Sequence, residues 1–236
     1  MGETDKGNIF KALSTPARRR VLDLIQRDGP MDLKRLTEAS GMKETTLRHH
    51  LLVLERAGLV ASEEGHEGVP GRPPLVYSVP RKHHEIGFPK RQYALLSEHL
   101  LQMLISIEGR ETAARLMGEM GEKVASGIIG NIASRKGNDL FEIEDIQRYL
   151  VPILDEMGGA VTVDELSDSA VSIRMNNCIF FELSKVYPDL ICEGHRALFA
   201  AIGRKLGGFS AQVGTCLAHD DQCCVTHLVK KESDVS

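Results

Sequence analysis

The chain has 236 residues, 42% of them hydrophobic, and a formal net charge of −4. That is enough for one large or two medium domains with buried cores, and no apolar run is long enough to span a bilayer. The opening MGETDKGNIF lacks the basic-then-apolar profile of a secretion signal, so the expected location is cytoplasmic, where cysteines act as thiols, metal ligands or redox centres rather than structural disulfides.

Charge is unevenly spread. Residues 1–91 hold 16 Lys and Arg against 12 Asp and Glu, whereas residues 92–236 hold 13 against 21. A basic module joined to an acidic one suits a nucleic-acid binder with a separate control domain. Thr15-Pro16 predicts a helix start, with Pro16 in the first turn where its missing N–H costs nothing. Val21, Leu22, Leu24 and Ile25 supply an apolar face, and Asp28-Gly29-Pro30 ends it. Leu33, Leu36 and Ala39 mark a short second helix, stopped at Ser40-Gly41. A third helix is expected over residues 43–57, with Leu47, Leu51 and Leu54 facing inward. Residues 59–61 and 75–79 read as two strands joined by a Gly- and Pro-rich loop.

Helix, helix-turn-helix and a two-stranded wing form the winged helix-turn-helix layout. Over residues 8–80 the wording "STPARRRVLDLI…MDLKRLTEASGMKETTLRHHLLVLERAGLV…GRPPLVYSV" resembles the ArsR/DeoR-like transcriptional regulators. The expected partner is a double-stranded DNA operator. The third helix would enter the major groove and offer Lys43, Thr45, Thr46, Arg48 and His49 to base edges and phosphates. Arg72, at the wing tip, is placed for a minor groove or a phosphate. Arg18, Arg19 and Arg20 read as a solvated helix face, and His50 as a partly buried helix residue.

Residues 82–90 read as a hinge. A helix over residues 91–107 carries Leu95, Leu96, Leu100, Leu101, Met103, Leu104 and Ile105, a stripe wide for one surface helix. It serves either packing within the chain or a homodimer seam, and the need to read two half-sites favours the seam. Residues 111–135 form another helix, with glycines at 118, 121, 127 and 130 that permit close backbone approach. A further helix is expected over residues 143–157.

Two strands follow, over residues 160–166 and 170–175. Cys178 comes where strand gives way to a helix over residues 179–186, which Pro188 stops. Cys192 opens a longer helix. A final hairpin, residues 209–217 and 224–229, turns at His219-Asp220-Asp221, with Cys216 on its first strand and Cys224 opening its second. Only one of Cys223 and Cys224 can share the face of Cys216, because adjacent strand residues point oppositely. The fold class expected is α+β: a winged helix-turn-helix over 1–81, a hinge and dimerisation helices over 82–135, and a cysteine-bearing α/β sensor domain with an antiparallel sheet over 136–236.

All five cysteines lie in the last quarter, at 178, 192, 216, 223 and 224. Their spacing lacks the paired CxxC knuckles of a zinc ribbon and the CxxCxxC run of a bacterial ferredoxin. The residues alone indicate convergent thiols, which favour iron–sulfur clusters, zinc or copper(I). The segment "NNCIFFELSKVYPDLICEGHRALFAAIG…TCLAHDDQCCVTHL" resembles the C-terminal half of the SufR-type iron–sulfur regulators. That resemblance implies a four-iron cluster (4Fe-4S rather than 2Fe-2S) held by Cys178, Cys192 and Cys216, with Cys224 a lesser ligand. Here Asp220 stands at the usual Gly of the turn, Cys223 is extra, Cys-Ile-Phe replaces Cys-Pro-Phe, and Pro188 lies one residue further from Cys192. The domain also resembles the small-molecule-binding domains of the vinyl-reductase type, so zinc, a thiol switch and an apolar ligand stay open. His195 and His219 are candidates to complete a zinc site. No nucleotide-binding glycine loop, HExxH or GxSxG is present, so an enzyme is not expected, and a thiol-dependent one is the weaker alternative. The reading is a regulator, a repressor in its sign, whose operator affinity follows cluster or redox state.

Overall fold

The computed structural model describes residues 3–65, 73–80 and 91–230. The expected roles of Arg72 and of the 82–90 hinge lie outside them. The chain divides into two compact units, Met1–Arg91 and Gln92–Ser236.

The first unit runs α1 (Glu3–Leu13), α2 (Pro16–Asp28), β1 (Met31–Asp32), α3 (Leu33–Ser40), α4 (Glu44–Arg56), β2 (Ala61–Glu64) and β3 (Leu75–Ser78). Its core gathers Ile9, Val21, Ile25, Leu36, Leu47, Leu51 and Leu54. Pro16 takes the first turn of α2 as expected, although Thr15 makes no side-chain cap. Asp32 caps α3 by accepting the Arg35 amide at 2.8 Å, and Gly41 ends that helix in the left-handed region. The antiparallel sheet has the order β1-β3-β2. The sequence reading missed β1, too short to show a period, and α1, whose polar run has no strong stripe. It also started β2 two residues early, because Leu59 and Val60 are buried in the core ahead of the ladder.

The second unit opens with α5 (Tyr93–Glu108) and α6 (Arg110–Lys136). Next come α7 (Ile143–Asp145), a π-helical turn at Ile146–Leu150, and α8 (Val151–Glu156). Strands β4 (Val161–Leu166) and β5 (Ala170–Met175) lead to α9 (Phe181–Val186) and α10 (Pro188–Lys205). β6 (Phe209–Val213), a 3-10 turn at Leu217–His219 and β7 (Cys224–Lys230) complete it. The antiparallel sheet has the order β4-β5-β7-β6, so β7 inserts between β5 and β6. One core holds Ile132, Leu150, Ile173, Phe199, Ile202 and Leu228.

Helices α6 and α10 cross at almost no clearance. A Cβ on Gly121 would lie 2.0 Å from the carbonyl oxygen of Gly194. This is one place where a glycine is required for approach, whereas Gly127 and Gly130 face open space. By its contacts α6 packs against α10, within the same compact unit as the sensor sheet. Pro188 also behaves otherwise than expected. It does not merely stop α9 but occupies the first turn of α10, where its lack of an N–H is harmless.

Candidate functional site

The first unit offers one long polar helix face. Leu47, Leu51 and Leu54 turn inward on α4, which leaves Lys43, Thr45, Thr46, Arg48 and His49 exposed. Lys43 stands at the N-cap. Arg48 is held one turn back by Glu44, at 2.9 Å from Nε and 2.7 Å from Nη2. A pair this exposed contributes little to stability, so the guanidinium can leave it for an anion. His50 is partly buried, as expected, and its Nδ1 is a buried nitrogen with no hydrogen-bond partner among the described residues. Burial lowers its pKa, and Arg18 and His49 lower it further.

The arginines at 18 and 19 have a structural task. Arg18 donates to the carbonyls of Ala12 at 2.6 Å and Lys11 at 2.7 Å, and Arg19 to that of Leu13 at 2.8 Å. They satisfy the open carbonyls at the end of α1 and oppose its dipole. A sequence reading without α1 had no means of seeing this.

The second unit brings four of the five thiols together. Cys178 sits in the bend between β5 and α9. Cys192 lies in the second turn of α10, not at its start. Cys216 is not on a strand, because β6 ends at Val213; it leads into the 3-10 turn. Cys224 opens β7. These four form one cluster with Met175, Phe181, Leu217 and Ala218, and the Sγ atoms of Cys192 and Cys216 are 3.7 Å apart. Cys223, in the bend just before β7, is turned elsewhere, and Arg174 Nη1 donates to its Sγ at 2.9 Å. That guanidinium also grips Asp164. Cys224, the first residue of β7, is therefore the neighbour of Cys216, and Cys223, just before the strand, is not.

The loop around Cys216 is tightly held. The Cys216 amide donates to Asp221 Oδ2 at 2.7 Å, and the Leu217 amide donates to Cys224 Sγ at 3.3 Å. Asp220 has φ +70°, a left-handed conformation that a short polar side chain tolerates. Burial raises the Cys178 thiol. It pushes Cys192 and Cys224 up to about 12, with the neighbouring Cys216 adding to the rise. Cys178, Cys192 and Cys224 are thus held protonated near neutral pH, as isolated thiolates in an apolar setting would be costly. Among the described residues no group of three or more His, Cys, Asp or Glu is already arranged to hold a metal ion.

His195 lies one turn beyond Cys192 with its Nε2 3.4 Å from Thr226 Oγ1. Burial lowers its pKa to about 4. His195 lines the same cavity as the four thiols.

Residues 13–63 match the family model described as "Helix-turn-helix domain". The N-terminal unit carries a helix-turn-helix domain. The chain is 35% identical over 54 residues to the "Transcriptional repressor SdpR" of Bacillus subtilis. It is 38% identical over 56 residues to the "HTH-type transcriptional regulator NmtR" of Mycobacterium tuberculosis. The matches cover 23% and 24% of this chain, and 59% and 46% of those proteins. The chain therefore spans about half the length of the curated relatives it matches. A solved trafficking protein particle complex subunit 3 from Naegleria fowleri, covalently bound to palmitic acid, aligns over 58% of this chain and 90% of that one. Its TM-score is 0.40 at 19% identity, too low to carry weight. No helix among the described residues is long and apolar enough to cross a membrane.

Proposed function

We propose that this chain is a DNA-binding transcriptional regulator, a repressor in its sign, whose second unit senses through a thiolate metal centre. The observation that carries the sensing half is the convergence of Cys178, Cys192, Cys216 and Cys224 in a chain that also carries a helix-turn-helix domain, while Cys223 is turned to Arg174 instead. The donors suit a soft metal. Four thiols share one apolar pocket, and backbone amides already donate to two of them, Phe180 to Cys178 and Leu217 to Cys224. Such hydrogen bonds orient ligands and favour the thiolate form.

The Cys192–Cys216 separation of 3.7 Å is close to the edge of a tetrahedral site, about 3.8 Å for metal–sulfur bonds of about 2.3 Å. A four-iron cluster places each thiolate on its own iron and asks for wider spacing. This one distance matches an edge of a zinc site, but among the described residues no group of three or more such ligands is arranged to hold an ion, so zinc is one reading and the cluster implied by the family resemblance the other. When bound, a metal would supply a counter-charge that holds the thiolates deprotonated, and its ligands would come from the bend after β5, α10, the entry to the 3-10 turn and the start of β7. In this reading Lys43, Thr45, Thr46, Arg48 and His49 contact the operator.

The regulator works as a homodimer. On α5, Leu95, Leu96, Leu100, Met103 and Ile107 are all more than half exposed, while Leu101 is buried. Two copies joined along this stripe would present two helix-turn-helix domains to paired half-sites.

Anaerobic purification with iron, sulfide and zinc assays tests the centre, followed by binding to DNA selected from a random pool, before and after metal removal. The expected result is one centre per chain and a change in operator affinity on its loss. Protein that takes up neither metal, with unchanged DNA affinity, overturns the sensor.

A further inference from the structure

The stretch of α4 that exposes Lys43, Thr45, Thr46, Arg48 and His49 also carries a carboxylate. Glu44 stands in the first turn of the helix, one turn ahead of Arg48, and both side chains are more than half exposed. An acid in a first turn suits the helix dipole, but on a surface that meets DNA the phosphates repel it. Stability does not account for it either, since so exposed a pair adds little. The way Glu44 holds the arginine supplies a reason. Both hydrogen bonds leave one edge of the guanidinium, from Nε at 2.9 Å and from Nη2 at 2.7 Å, and both end on Oε1. Glu four residues ahead of its cation is the favourable order for such a pair.

A guanidinium carries N–H donors on three nitrogens in a rigid fork. With the Nε edge taken by Glu44, the N–H groups at the far end, on Nη1 and Nη2, stay free to donate together. A donor pair of this kind fits guanine O6 and N7 in the major groove. Phosphate and guanine make different demands on Arg48. A phosphate brings its own negative charge, so it must displace Glu44 or share one cation with it. Guanine O6 and N7 are uncharged acceptors, and Arg48 can take them while it keeps Glu44. The carboxylate therefore sets a penalty on the backbone contact and none on the base contact.

We propose that Glu44 and Arg48 form a preassembled reader of one G·C base pair, in which Arg48 donates to guanine O6 and N7 while Glu44 holds it off the phosphates. Glu44 is then a positioning residue that sets specificity. It lowers affinity for DNA in general and sharpens the choice of sequence. The inference rests on the DNA-binding reading above and gives two adjacent side chains opposite signs: Arg48 adds affinity, and Glu44 subtracts it wherever the guanine is missing.

The test uses the full-length chain and the duplex it selects from a random pool, with affinities measured at several salt concentrations. One guanine of the selected sequence should cost about tenfold in affinity when it is replaced by 7-deazaguanine, which keeps O6 and the base pair but has no N7 acceptor. In the Glu44→Gln protein that loss should shrink to about twofold or less. The same protein should bind non-operator duplex about tenfold more tightly, and its log affinity should fall with log salt more steeply by about one, because the released arginine takes a phosphate. Arg48→Lys, a point charge without the fork, should also lose the 7-deazaguanine effect, and it carries the test if Glu44→Gln does not keep the wild-type circular dichroism. The proposal is overturned by a wild-type operator in which no guanine responds to the loss of N7. It is equally overturned by a Glu44→Gln protein that keeps the full guanine preference or binds non-operator DNA no more tightly, or by an Arg48→Lys protein that keeps the 7-deazaguanine effect. A wild-type chain that enriches no sequence and binds no duplex overturns the DNA-binding reading and this inference together; every other adverse result leaves that reading standing.

Discussion

The two units place their chemistry on opposite sides of their cores. In the first, the candidate residues are those the core leaves out: Leu47, Leu51 and Leu54 turn inward and Thr46, Arg48 and His49 remain on the rim. In the second, the candidate residues are enclosed, and burial itself sets their state by holding Cys192 and Cys224 protonated. An outward site responds to single contacts, each worth little alone. An inward site responds to the loss of any one member, because the rest stay buried without it.

Cysteine exchange should expose that contrast most strongly. Cys192→Ser or Cys216→Ser should abolish metal loading, and Cys223→Ser should leave it intact, as read by metal content after anaerobic purification. Full loading of the Cys192→Ser protein would end the four-thiol model. On the outward side, Leu100→Glu on α5 should convert dimer to monomer in sedimentation analysis and weaken operator binding steeply, since a carboxylate in an apolar seam is desolvated and unpaired. A dimer that survives the change moves the seam elsewhere. Arg48→Ala and Thr46→Ala should each weaken specific DNA binding by about 1–3 kcal/mol without changing the thermal midpoint. Unchanged affinity in both would take recognition off α4.

Titration separates the units more gently. The folded pKa values of Cys192 and Cys224 lie near 12, above that of an unfolded thiol, about 8.5. The folded chain therefore binds more protons than the unfolded one between those values, and metal-free stability should fall as pH rises from about 8.5 towards 12. Metal affinity should rise with pH, with protons released on binding. Denaturant midpoints of the metal-free protein that stay flat over this range would contradict the burial of these thiols. In the first unit the sign reverses. The pKa of His50 is lowered from 6.5, so its contribution is complete above that value and declines as pH falls through it and below. The His50→Leu protein should lose this acid sensitivity, a small effect visible in midpoints compared at pH 7 and pH 5.

The same contrast explains what the sequence disclosed. The helix-turn-helix could be read because each of its signals is local: Pro16 in a first turn, Gly41 at a helix end, leucines at helical spacing. The clustering of the cysteines was also visible, and with it the choice between Cys223 and Cys224, although not its answer. Details that depend on long-range pairing were misplaced. Cys216 left its expected strand because β6 pairs with β7 only as far as Val213 opposite Thr226. The role of Arg18 was hidden because it acts on α1, which shows no clear period. The cavity beside the thiols had no sequence signature at all, since its wall is drawn from α6, α8, α10 and the loops around Cys178 and Cys216.

The crossing of Gly121 and Gly194 has a consequence for how the surroundings of the thiols can change over generations. The spacing of α6 and α10 is fixed by backbone meeting backbone, so side-chain substitution elsewhere on these helices cannot bring them closer. Met117, Met120 and Leu198 stand on the same two helices and point into the space between. Exchanges at those positions would reshape the interior while its frame stays constant. A lineage carrying this glycine pair could thus vary those surroundings in small steps, and a change at either glycine would alter the frame in a single step.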